Sequence, residues 1–167
     1  MINLRPATLS DVKNILGIHY AAVHGSTTSN FYSQNILQSW SPSTRDERRL
    51  KQLHQAIRDN TEIIIVAEST ATGMIMGFGS VVPSQQELRA VYVDPTFARQ
   101  GVGTKIITSL EELAVHHVAH KLHLDASLNA ESFYCHHGYS IVERAIHRLN
   151  SGIDMDCIKM SKELHLH

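Results

Sequence analysis

Apolar and polar positions follow two rhythms along this chain, and the rhythm changes near residue 60. Ile2–Arg5 reads as a short strand that Pro6 ends. Val12, Ile15, Leu16, Ile18 and Ala22 fall at helical spacing, which predicts a helix from a Ser10-Asp11 cap to about Val23. Gly25–Asn30 is a polar break. A second helix is predicted over Ser33–Trp40, stopped by Ser41-Pro42, and a third over about Thr44–Asp59 with Leu50, Leu53 and Ile57 inward.

From Glu62 the texture is that of strands. Glu62–Glu68 (EIIIVAE) is rich in β-branched residues and reads as a buried strand. After a turn at Ala71-Thr72-Gly73, Met74–Val82 is a second strand, whose Gly77 and Gly79 suggest a bend or a close backbone approach. Glu87–Val93 is a third, and the three make an antiparallel meander. A helix is then predicted over about Gly101–Val118, with Ile106, Ile107, Leu110, Leu113 and Val118 inward. It is followed by a strand at Leu122–Asp125, a short helix at Asn129–His137 ended by Gly138, and strands at Tyr139–Ala145 and Asp156–Ser161. This order predicts an α+β (mixed α/β) fold, with a parallel strand pair joined by a right-handed crossover through the Gly101–Val118 helix.

Composition adds limits. The 167 residues suit one domain, with no internal repeat or linker to divide them. The formal net charge is −1, so no global attraction to nucleic acid or anionic membrane is expected, and an anion site must be local. No signal peptide is visible, and the longest apolar run, around Ile63–Ala67, is too short to cross a bilayer. Cys135 and Cys157 make no disulfide framework, so a reducing cytoplasm is the expected compartment. The twelve histidines, among them His116-His117, His136-His137, His165 and His167, lack metal-ligand spacing, and no metal is expected.

Candidate chemistry concentrates in VDPTFARQGVGTKIITSL, Val93–Leu110. A helix N-terminus carries unpaired N–H groups and partial positive charge. Glycines there let a ligand come close to the backbone. Arg99 adds a full charge, so Arg99–Thr104 reads as a pyrophosphate cradle. The Walker pattern is absent. A dinucleotide fingerprint would need a third glycine where Ile106 stands and a tighter strand–glycine turn, but Asp125 sits near the place of a ribose-binding acid, which keeps that reading open.

ELRAVYVDPTFARQGVGTKII resembles the cofactor motif of the GNAT superfamily of N-acetyltransferases: an apolar strand, Asp/His-Pro, then Arg/Gln-x-x-Gly-x-Gly/Ala opening a helix. NAESFYCHHGY, Asn129–Tyr139, resembles the family's second segment, with Phe133, Tyr134, Gly138 and Tyr139 in register, and LRPATLSDVKNIL resembles its opening strand and helix. Ala98 stands at the first Arg/Gln position, and Arg99 and Gln100 lie beside it. The resemblance implies a mostly antiparallel, twisted sheet of about seven strands, splayed between strands 4 and 5 and flanked by helices. It implies acetyl-coenzyme A as cofactor. The pantetheine arm would enter the splay along Val91, Tyr92 and Val93, the pyrophosphate would rest on Arg99, Gln100, Gly101, Val102, Gly103 and Thr104, and Asn129 and Phe133 would lie near the arm.

Amine acetylation needs a neutral amine, a polarised carbonyl and a protonated leaving thiolate. A backbone N–H near Val91 suits the second need. Tyr134, which the resemblance places beside the sulfur, suits the third, since a phenol is protonated at neutral pH. Glu87 is the expected base, with His24 as a weaker candidate that also serves the acceptor site. Tyr32, Trp40 and Arg89 join His24 as acceptor-binding residues, Arg89 being expected on the face of Val91 and Val93. The expected activity is direct acetyl transfer to a primary amine of a small molecule or peptide, with no cysteine intermediate. The alternatives are a non-catalytic acyl-CoA sensor and a dinucleotide-binding protein. A homodimer would be the commonest assembly.

Overall fold

The computed structural model describes residues 1–165; His167 lies outside the described residues. Its elements are β1 (Ile2–Pro6), α1 (Val12–His24), α2 (Ser26–Ser29), α3 (Gln34–Trp40), α4 (Glu47–Asp59), β2 (Ile63–Ser69), β3 (Ile75–Val82), β4 (Glu87–Val93), α5 (Val102–His116), β5 (Lys121–Ser127), α6 (Glu131–His136), β6 (Ser140–Arg148) and β7 (Asp154–Glu163). Among the described residues seven strands form one sheet in the order β1-β2-β3-β4-β5-β7-β6. Every neighbouring pair is antiparallel except β4–β5. This is the expected mixed α/β architecture.

The β-branched run of β2 is buried on both faces, as a strand covered on two sides must be. Ile65 and Ala67 join a core in which α5 supplies Val102, Ile106, Ile107, Leu110 and Ala114. Ile64 and Val66 face the other way, with Phe78, onto Ile15 and Ile18 of α1. A third cluster joins Val23, Tyr32 and Leu37 to Leu149 and Met155 of the β6–β7 hairpin.

The two glycines of β3 serve close approach. A Cβ at Gly79 would stand 2.6 Å from Ile106 Cγ2, 2.7 Å from Leu110 Cδ1 and 2.8 Å from the Ala90 carbonyl oxygen. The helix therefore lies directly on the strand backbone. Gly79→Ala should destabilise the protein by about 2 kcal/mol through overpacking. Urea unfolding measures this, and an unchanged midpoint would refute the close-packing argument.

Local expectations needed correction in several places. Gly25–Asn30 is not simply a break: Ser26–Ser29 form one helical turn, whose Thr28 hydroxyl donates to the Ala22 carbonyl at 2.9 Å. Asp11 rather than Ser10 organises the entry to α1. Its carboxylate accepts from the Thr8 amide at 2.8 Å and pairs with Arg5 at 2.7 Å, and the guanidinium holds it below the usual carboxylate range. Val118 is 73% exposed with φ +65°, because α5 ends before it; Ala119 turns inward instead. Leu50, Leu53 and Ile57 are only half-buried, since α4 lies at the margin of the α1 face.

Arg89 breaks the expected alternation of β4. Ser80 pairs with Ala90 but Val81 pairs with Leu88, leaving Arg89 as the extra residue of a bulge. Leu88, Val91 and Val93 pack toward α5, whereas Ala90 and Tyr92 pack toward α1. Strict alternation cannot place Leu88 and Val91 on one face, so the regular alternation on which the expected face of Arg89 rested is interrupted at this residue.

Candidate active site

The parallel strands β4 and β5 touch at one end only. Their ladder consists of the single pair Glu87 and His123. Gln86, held at φ +52°, pins this end: its side-chain oxygen accepts from the His120 and Lys121 amides, both at 3.1 Å, and its carbonyl accepts from the His123 amide at 2.9 Å. Beyond that point the strands part. A cleft of about 690 Å³ opens between them, lined by Val91, Tyr92 and Val93 on one side and Asp125, Ala126 and Ser127 on the other.

At the open end, the Asp94 carboxylate accepts from the Thr96 amide at 2.9 Å and from its hydroxyl at 2.7 Å. This turn, begun by Pro95, carries the chain clear of the sheet, and Arg99 and Gln100 emerge exposed. Arg99 has φ +64°, an unfavourable backbone for a side-chain-bearing residue. Gly101 has φ +80° and stands as N-cap without a capping side chain. The first α5 amide to find a backbone carbonyl is Lys105, which donates to Gly101 at 3.1 Å. Among the described residues, no hydrogen bond is formed by the amides of 99–104. Val102 contributes only its backbone here, since its side chain is core.

Gly103 has a different reason. A Cβ there would stand 3.1 Å from the Phe133 ring, so the absence of a side chain seats α6 against the first turn of α5. Successive residues on a helix point about 100° apart. With Phe133 on Gly103, Tyr134 therefore turns into the cleft, which it lines. Its ring lies edge-on to Phe133 and Tyr139. Burial pushes its phenol well above the ordinary tyrosine value, helped by Tyr92, so it remains protonated. Its neighbour Cys135 is exposed on another side of α6.

Asn129 also lines the cleft. Its amide nitrogen donates to the Thr28 hydroxyl at 3.2 Å, and its carbonyl oxygen is buried without a partner. A buried acceptor left unpaired is costly and fits a ligand N–H. Together with the open amides of 99–104, it matches what a pyrophosphate with an amide-bearing arm requires.

Trp40 and Arg89 line the same cleft, and Glu87 stands at its closed end. The Glu87 carboxylate accepts from Arg89 Nε at 3.3 Å, and Arg89 also pairs with Glu62 at 3.3 Å. Tyr92 presents its ring to an aromatic group formed by His19, Trp40 and Phe78, and burial pushes its phenol up to about 12.

Tyr32 and His24 are spent on structure instead and are absent from the cleft lining. The Tyr32 hydroxyl donates to the Asp156 carbonyl at 2.7 Å and accepts from the Leu128 amide at 2.8 Å. Burial pushes it up to about 12. His24 donates from Nε2 to the Ser41 carbonyl at 2.8 Å and stacks on Tyr20. The lining residues that escaped the sequence reading as site residues include Thr28, His123, His147 and Lys159. Only the alternation of β5, with Leu122, Leu124 and Ala126 buried and His123 and Asp125 exposed, hints at a polar wall there. Asp125 faces His147 and Lys159. Among the described residues the sheet holds one parallel pair, β4–β5, which gives a dinucleotide fold no support. Among the described residues, no three metal-ligating side chains converge, and no helix is long and apolar enough to cross a membrane.

The family described as Acetyltransferase (GNAT) domain matches residues 29–164. A GCN5-related N-acetyltransferase (aminotransferase, class II) from Rhodopseudomonas palustris is similar with TM-score 0.84 and 29% identity, over 97% of this chain and 95% of that one. PaiA N-acetyltransferase from Thermoplasma acidophilum, in complex with coenzyme A, has TM-score 0.73 at 15% identity, covering 98% and 99%. YncA from Salmonella typhimurium, with its cofactor acetyl-CoA, has TM-score 0.69 at 21% identity, covering 100% and 96%. A search of curated proteins gives no significant match.

Proposed function

The chain belongs to the GNAT acetyltransferase family, and on that premise we propose that it moves an acetyl group directly from acetyl-CoA to a primary amine. One observation carries the reading: a row of unpartnered amides at the start of α5 follows directly on the cleft-lining Pro95 and Ala98, and a protonated Tyr134 lines the same cleft. The matched residues 29–164 and the continuous sheet support one domain across residues 1–167.

The amides of Arg99–Thr104 would hold the pyrophosphate, with the Arg99 guanidinium adding charge. The exposed edge of Val91–Val93 would pair with the pantetheine arm, and Asn129 Oδ1 would accept from an amide N–H of that arm. Phe133 would pack beside it. When bound, acetyl-CoA supplies an activated thioester. The Val91 N–H would polarise its carbonyl, and Tyr134 would deliver the phenolic proton to sulfur. Trp40 and Tyr92 wall the acceptor side, while Arg89 holds Glu87 and Glu62 at the closed end.

Isothermal titration should show micromolar binding of acetyl-CoA and none of NAD. Absence of acetyl-CoA binding would mean that Ala98 marks a lost site, and the reading would fall.

A further inference from the structure

Transfer to an amine at neutral pH needs a group that removes a proton from the acceptor ammonium. The bases that border the cleft differ in what their lone pairs already do. Glu87 is bound to Arg89. His123 donates from Nε2 to the Gln85 carbonyl at 3.1 Å, which leaves its Nδ1 bare but backs the ring with a neutral carbonyl rather than a charge. His147 is different: its Nδ1 lies 3.1 Å from Asp125 Oδ2. With the carboxylate as acceptor, Nδ1 carries the hydrogen and Nε2 is left bare. A base oriented by a carboxylate behind it is the arrangement general-base catalysis uses.

The hairpin that carries His147 is built to hold it there. Cys157 pairs with Ser127 of β5 and Ala145 of β6, while His147 lies one step further toward the hairpin tip and reaches back over the face to Asp125. That tip is tied to the helical front by the hydrogen bond between the Ser39 and Ser151 hydroxyls. Tyr32, bound to the Asp156 carbonyl, and the packing of Leu149 and Met155 on Leu37 fix it further. Lys159 lies 3.8 Å from the other Asp125 oxygen.

We propose that His147, held in one tautomer by Asp125, is the acceptor-side base of this cleft; the assignment rests on the acetyltransferase reading above. The ammonium gives one proton to His147 Nε2, which passes it to solvent. The nitrogen–carbon bond forms as the carbon–sulfur bond breaks. Sulfur takes the Tyr134 proton, and the second proton lost by nitrogen restores Tyr134.

The test uses the full chain with acetyl-CoA and a panel of tyramine, histamine, spermidine, L-lysine and a short peptide with a free N-terminus, scored by thiol release. His147→Ala should lose about a hundredfold in kcat while binding acetyl-CoA as before. Added imidazole should restore at least part of the loss, which a structural role would not allow. Independently of any ligand, long-range nitrogen NMR at a pH where the ring is neutral should show His147 protonated on Nδ1, and Asp125→Asn should disturb that state. A normal His147→Ala, a loss that imidazole does not rescue, or a proton on Nε2 would overturn the assignment. Thiol release from no amine, with acetyl-CoA bound, would overturn it too. Failure to bind acetyl-CoA would instead bring down the parent reading.

Discussion

Tyr134→Phe should lower kcat by roughly a hundredfold to ten-thousandfold, the usual worth of a positioned general acid, while leaving acetyl-CoA affinity unchanged. The ring is held by contacts that phenylalanine keeps, edge-on to Phe133 and Tyr139 and seated by the Phe133–Gly103 contact. Only the hydroxyl, on a ring that lines the cleft, is removed. Folding should therefore be indifferent to the change. Steady-state kinetics beside titration calorimetry separate the outcomes. A non-catalytic sensor would change in neither, and a loss of affinity would mean that the phenol holds the ligand rather than serving the reaction.

Acidification should destabilise the protein through His19. This side chain is 8% exposed, and burial, reinforced by the Arg49 charge and by His24, takes its pKa from 6.5 down to about 3. The reason is visible in its bonding. Nδ1 accepts from Arg49 Nη2 at 3.2 Å and from the Ser41 hydroxyl at 2.8 Å, so a proton there would face a guanidinium. The unfolded chain binds this proton below about 6.5 and the folded chain does not. Stability is therefore intact above 6.5 and is lost as pH falls toward 3. By pH 4.5 the loss is about 2.5 kcal/mol. Urea unfolding at pH 7.5 and 4.5 measures it. His19→Gln should start less stable but lack this part of the decline; equal declines in the two proteins would contradict the assignment.

The proposed cofactor half of the candidate site was legible in the sequence because its geometry is carried by backbone. Gly101, Gly103 and Asp94-Pro95 announce a turn and a helix start locally, and the structure builds both. The acceptor half was not, because its side chains are assigned by distant partners. Tyr32 looks available until Asp156, 124 residues away, takes its hydroxyl. His147 looks like one scattered histidine until the hairpin folds it onto Asp125. The bulge at Arg89 slips the β4 pattern by one residue, and nothing in ELRAVYV marks where. Val118 satisfies the helical rhythm of α5, but the helix ends first.

The chain has a single tryptophan, and it stands on the cleft wall. Trp40 lies edge-on to His19, Tyr32 and Tyr92, with ring centres 5.9 to 6.4 Å away. Its intrinsic emission thus comes from one place. It reads the wall where α3 meets the cluster that holds Leu149 and Met155 of the hairpin. The molecule carries its own optical gauge, with no dye attached, for what enters that side of the cleft.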